Sequence, residues 1–169
     1  MIDDQIGYLR LSMFDEQSAA EFEKHLKELQ ASGAKGVVVD LRQNPGGYLS
    51  QCVEIADMLL GKELIVYTES RNGDDEEYYS DDQKVDVQLV VLVDNGSASA
   101  SEILTGALKD HKAATIVGTT TFGKGVVQIV QPYSENTGFK LTTSQYFTPN
   151  GVNIHGIGIE PDVVIELDE

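Results

Sequence analysis

The chain has 169 residues, 41% of them apolar, a length and composition suited to one globular domain with a full core. It carries 28 Asp and Glu against 12 Lys and Arg, a formal charge of −16, so its own field repels phosphates and anionic lipid surfaces. That balance argues against nucleic-acid and membrane-surface partners. No run of about 18 apolar residues is present, so no membrane insertion by this chain is expected. The acidic runs Asp74-Asp75-Glu76-Glu77 and Asp81-Asp82 read as a solvated face. The single cysteine, Cys52, has no internal disulfide partner and falls in an apolar helical stretch, where it reads as core.

In chain order, Ile6–Met13 reads as a strand, and Ser18-Ala-Ala-Glu21 has the capping-box pattern of a helix start. Ala19, Phe22, Leu26 and Leu29 then fall on one helical face, with Gly33 as the stop. The β-branched run Gly36–Leu41 predicts a strand covered on both sides, broken by RQNPGG before a helix over Tyr48–Leu60. Glu63–Glu69 predicts another strand and RNGDDEE a polar loop. Gln88–Asp94 is a second fully apolar strand, followed by NGSASA and a helix from about Ala100 to His111, then a strand over Ala114–Gly118. Strand, loop and helix repeated in this way predict an α/β fold with a mainly parallel sheet, its sites at the carboxyl ends of the strands. After TFGKG the pattern becomes extended, Val126–Pro132 and Phe139–Phe147, and then a Gly/Pro-punctuated tail; this predicts an antiparallel hairpin plus an edge strand.

Two motifs carry chemistry. GSASASEI puts Ser99 at the head of a helix, and TFGKG puts Lys124 in a glycine loop 25 residues later, a candidate Ser–Lys nucleophile and base for acyl transfer. Ser99-Ala-Ser-Glu102 is itself a capping box, and the two roles are compatible, because a helix N-terminus offers free amides and a positive dipole end to a developing oxyanion. The Ala100 amide is the natural donor, and Gly46 or Gly47 of the Pro45-Gly46-Gly47 turn can supply the second. Lys124 acts as a base only when neutral, a form that burial favours. Gln128, four residues on, has the spacing to share its face and to orient it through the side-chain amide.

Competing readings are weaker. Gly118–Lys124 fits the first seven positions of a P-loop, but Gly125 stands where Ser or Thr must hold magnesium, and a β-branched run follows in place of a helix. A Ser–His–Asp triad has His25, His111 and His155 to draw on, with Asp110 beside His111, yet GSASA lacks the second glycine of the nucleophile elbow. There is no His-x-x-x-His pair and the acids are scattered, so no metal site and no cofactor are expected.

These residues resemble the carboxyl-terminal processing peptidases, or tail-specific proteases. The resemblance runs from IGYLRLSMF through DLRQNPGG, VLVDNGSASASEILTGALKDH, TIVGTTTFGKGVVQ and LTTSQYFTPNG to GIGIEPD. It implies a serine endopeptidase acting near the C-termini of polypeptide substrates through an acyl-enzyme. Ser99 would be the nucleophile, Lys124 the base and Gln128 the third member, with Ala100 and Gly46 as oxyanion donors. The implied fold is shared with Clp-type proteases and crotonases and built from repeated β-β-α units, and the implied location is extracytoplasmic. Family members usually add a signal and a PDZ domain, so residues 1–169 are expected to be a single catalytic core excised from a longer chain. A non-catalytic peptide-binding domain on the same fold is the alternative. Neither oligomeric state nor physiological substrate follows from the sequence.

Overall fold

The structure, a computed structural model, describes residues 1–2 and 5–166. Nine strands and three helices are present among them: β1 Ile6–Arg10, α1 Ser18–Ala31, β2 Gly36–Asp40, α2 Leu49–Leu59, β3 Leu64–Ser70, β4 Glu76–Tyr79, β5 Gln88–Val93, α3 Ala100–Asp110, β6 Thr115–Gly118, β7 Val126–Ser134, β8 Thr137–Phe147 and β9 Val163–Val164. They form a five-stranded sheet ordered β1-β2-β5-β6-β9 and a four-stranded sheet ordered β4-β3-β8-β7.

Every pairing in the first sheet is parallel. Its order advances in one direction along the chain, so right-handed crossovers place α1, α2 and α3 on the same face. The burial of β2 and β5 alternates accordingly: Val37, Val39, Leu89, Val91 and Val93 are buried while Val38, Val90 and Leu92 are half-exposed. The continuous apolar run therefore does not mark a strand covered on both sides. Cys52, Ile55, Ala56 and Leu59 of α2 and Leu104, Ala107 and Leu108 of α3 join these valines in one core.

Helix α1 ends as its glycine foretells. Gly33, at φ 89°, lets its own amide reach Gln30 O and the Ala34 amide reach Leu29 O, a Schellman closure. Its start differs: Ser18 is already helical, and its hydroxyl is taken by the Asp15 amide and Met13 carbonyl, so no Ser18–Glu21 capping box forms.

The second sheet is antiparallel throughout. Its hairpin β7–β8 matches the extended segments read after the glycine loop, but β4 falls partly in the expected polar loop. Glu76–Tyr79 pairs with β3 despite its acidic composition, because both of its faces are largely exposed. The expected edge strand is the two-residue β9, which borders the first sheet and pairs parallel with β6.

Candidate active site

Both glycine turns lie where β2 and β5 end. They are stapled together: Asp94, at the end of β5, accepts the Gln43 amide at 2.9 Å and Gln43 Nε2 at 2.8 Å. Burial works against the Asp94 carboxylate, yet these donors and the Gly96 amide hold its pKa below the ordinary value. Asn44, fully buried, accepts the Ala98 amide at 2.9 Å and the Ser101 hydroxyl at 3.0 Å on its carbonyl. The two turns thus behave as one rigid support.

Gly46 is required by the closeness of this seam. A Cβ there would lie 2.7 Å from both Ala98 O and Ser99 Cβ, and the residue sits at φ +98°. Its amide is already donated to Asn44 Oδ1 at 2.9 Å and Gly46 is buried, so the expected second oxyanion donor is committed elsewhere. Gly47 is the exposed member of the pair and lines the cavity beside Ser99.

Ser99 occupies φ 58°, ψ −117°, a region that non-glycine residues seldom enter. The strained turn places Ser99 at the head of α3 in the wall of a cavity of about 280 Å³, so an elbow forms without the second glycine of the familiar motif. Ala100, Lys124, Gln128 and Tyr146 line the same cavity, with Leu49, Ile103, Val126 and Val127 supplying an apolar wall.

The lysine loop is held by Glu102, whose carboxylate is fully buried. Its Oε1 accepts the Thr121 hydroxyl and the Gly123 amide, each at 2.6 Å; its Oε2 accepts the amides of Lys124 at 2.8 Å and Ser99 at 2.9 Å. The capping-box residue thereby reaches across to the base loop. The amides that a P-loop would offer to phosphate hold this carboxylate instead, and strand β7 follows, which removes the nucleotide reading. The tail buttresses the loop from behind: the Gly156 amide donates to Gly123 O at 2.8 Å and the Ile159 amide to Thr121 Oγ1 at 2.7 Å.

Ser99 and Lys124 share the cavity, and among the described residues no ion pair involves Lys124, which is half-buried. The Ser99 hydroxyl is bonded to the Tyr146 phenol at 3.2 Å. Gln128 is exposed and donates to Thr142 Oγ1 at 3.2 Å across the hairpin. The register against β8 shifts between Val127 and Gln128, with Thr143 as the extra residue on β8.

The histidines stand apart. His25 faces Glu28 on the exposed side of α1, His111 Nε2 contacts Leu64 O at 2.7 Å, and His155 is exposed; none lines the Ser99 cavity. Cys52 is fully buried, its thiol directed at the Ala100 carbonyl at 3.2 Å, and burial raises its pKa; it is a core residue. No group of three or more His, Cys, Asp or Glu suited to a metal exists among the described residues, and no helix there is long and apolar enough to cross a membrane.

Sequence reading did not find the buried Asp40. Arg42 Nε and Nη2 reach its two oxygens at 2.9 and 2.7 Å, and Tyr8 donates at 2.5 Å. Burial alone would raise the Asp40 pKa, but the hydrogen bonds from Arg42 and Tyr8 outweigh it and bring the value to about 2. The pair braces the end of β2, from which the Gln43–Gly47 turn departs.

Comparison with known proteins agrees with this architecture. Residues 5–165 match the model of peptidase family S41. A carboxy-terminal-processing protease of Bartonella bacilliformis is 44% identical over 172 residues, covering 98% of this chain and 40% of that protein. A solved photosystem II D1 C-terminal processing protease superposes with a TM-score of 0.88 at 40% identity, over 95% of this chain and 42% of that one. The tricorn protease, at 20% identity and a TM-score of 0.59 over 95% of this chain and 15% of that one, shares the fold alone. The chain belongs to peptidase family S41, on a Clp-type α/β fold. It spans about two-fifths of the length of the first of these relatives.

Proposed function

We propose that this chain is the catalytic domain of a serine endopeptidase that cleaves near the C-termini of unfolded polypeptides, with Ser99 as nucleophile and Lys124 as base. The observation that carries this reading is the strained Ser99 at the head of α3, in a cavity shared with Lys124 and tied to its loop through Glu102.

Lys124, as a neutral amine, takes the Ser99 proton while Oγ attacks the scissile carbonyl carbon. The resulting oxyanion is met by the Ala100 amide, which has no partner inside the helix, and by the amide of Gly47, the exposed glycine of the turn. Gly47 takes the place of Gly46, whose amide serves Asn44. The lysine proton passes to the leaving amine, the C–N bond breaks and an acyl-enzyme remains; water, deprotonated by the same lysine, releases the carboxylate. Gln128 gives its Nε2 to Thr142 and keeps Oε1 as an acceptor on the cavity it shares with Lys124, which suits it to orient the lysine. The names of the relatives supply the class of substrate, C-terminal tails, and the apolar wall of Leu49, Ile103 and Val126 suits an apolar side chain beside the scissile bond.

The test is cleavage of a denatured protein and of a peptide with an apolar C-terminal tail, with and without a chelator. The parent chain is expected to cleave in both conditions and Ser99→Ala in neither. Binding of the peptide without cleavage would leave a peptide-binding domain on a protease fold.

A further inference from the structure

Tyr146, on β8, is 4% exposed, and its ring belongs to the hydrophobic core. Its phenolic oxygen lies 3.2 Å from Ser99 Oγ and also bonds the Lys124 backbone carbonyl, while its amide donates to Gly125 O at 3.2 Å. One side chain therefore touches the nucleophile and grips the base loop.

Counting protons fixes the direction of these bonds. A phenol has one hydrogen, and a carbonyl can only accept, so the Tyr146 proton goes to Lys124 O. Its oxygen must then accept from the Ser99 hydroxyl. Ser99 Oγ also accepts the Glu102 amide in the capping box, and Tyr146 is its one side-chain hydrogen-bond partner among the described residues, so the phenol sets where the serine hydroxyl proton points.

We infer that Tyr146 is a positioning residue of the Ser99 nucleophile, an assignment that rests on the Ser–Lys reading. In the free chain its oxygen holds the serine hydroxyl at the correct side of the cavity. When the serine proton passes to Lys124, Oγ becomes an acceptor, and the phenol answers by turning its own proton from Lys124 O to Oγ. Burial raises the phenol pKa, so that proton stays in place throughout the neutral range. The contribution falls on the reacting oxygen, which marks it as a kcat effect.

Two measurements test this on the whole chain. In protein labelled with ¹³Cζ tyrosine and assigned through its backbone, Ser99→Ala removes the donor to the phenol and is expected to shift the Tyr146 signal. Ser134→Ala, at the far hairpin turn, should leave that signal in place. In peptide cleavage, Tyr146→Phe keeps the ring and is expected to lower kcat about 10- to 100-fold with KM within about twofold. A Tyr146 signal indifferent to Ser99→Ala, or a Tyr146→Phe kcat equal to that of a cleaving parent, overturns the role of Tyr146 alone. A parent chain whose Ser99 does not react at all overturns this role together with the Ser–Lys reading.

Discussion

The Glu102 carboxylate accepts the Lys124 amide at 2.8 Å and the Ser99 amide at 2.9 Å through the same oxygen, so the backbones of the proposed base and nucleophile hang from one buried atom. With the Thr121 hydroxyl and Gly123 amide on the other oxygen, this charge is enclosed by four donors. Such an arrangement is stable only while all four are present, since a buried carboxylate without donors is strongly disfavoured.

Glu102→Gln preserves shape but turns an NH₂ group toward N–H donors. Whichever oxygen the NH₂ replaces, at least one backbone amide loses its acceptor, at a cost of about 1–3 kcal/mol in stability. Loosening the Lys124 loop should also lower kcat/KM about 100-fold or more. Urea denaturation and peptide cleavage measure the two effects separately; a variant matching the parent in both would remove Glu102 from the support of the site.

Gly46→Ala tests the seam between the two turns. The new methyl meets Ala98 O and Ser99 Cβ, and the backbone angle is unfavourable for alanine, so Ser99 must be displaced. Cleavage should fall at least about 100-fold. Gly33→Ala, equally positive in φ but with open space around its Cβ and remote from the cavity, should lose only stability. Equal cleavage by Gly46→Ala and the parent would show that the turn does not fix the serine.

The Asp40–Arg42 pair makes stability depend on acid. Its folded pKa, about 2, lies below the roughly 3.9 of an unfolded aspartate, so the stabilisation is full above about pH 4 and is lost as pH falls toward 2. The effect is on the order of 1–2 kcal/mol, allowing for partial solvent screening around Arg42. Compared by chemical denaturation at pH 6, 4 and 3, the parent should lose more stability than Asp40→Asn. Parallel losses in the two proteins would mean that other carboxylates carry the acid response.

Ser99 at a helix head and Lys124 in a glycine loop are local facts, legible because capping residues and glycines mark turns whatever surrounds them. The parallel core was legible for the same reason, from the β-branched runs of β2 and β5. The committed Gly46 amide was not, because it depends on Asn44 folding back from within a buried turn. Tyr146 was hidden by distance: it lies 47 residues from Ser99, and only the antiparallel pairing of β8 with β3 and β7 brings it there. The weak alternation of β4 concealed a strand whose pairing, and not its burial, defines it. Glu102 was half-seen, since its capping role is local while its hold on the Lys124 loop is tertiary.

The most direct test of the Ser–Lys assignment is covalent. The folded chain is treated with a fluorophosphonate, its intact mass is measured, and the modified residue is mapped by peptide sequencing. One adduct is expected, on Ser99, absent in Ser99→Ala and formed at least about 100-fold more slowly in Lys124→Ala, because the hydroxyl then lacks its base. An adduct on another residue, or one on Ser99 that forms as fast without Lys124, would contradict the assignment.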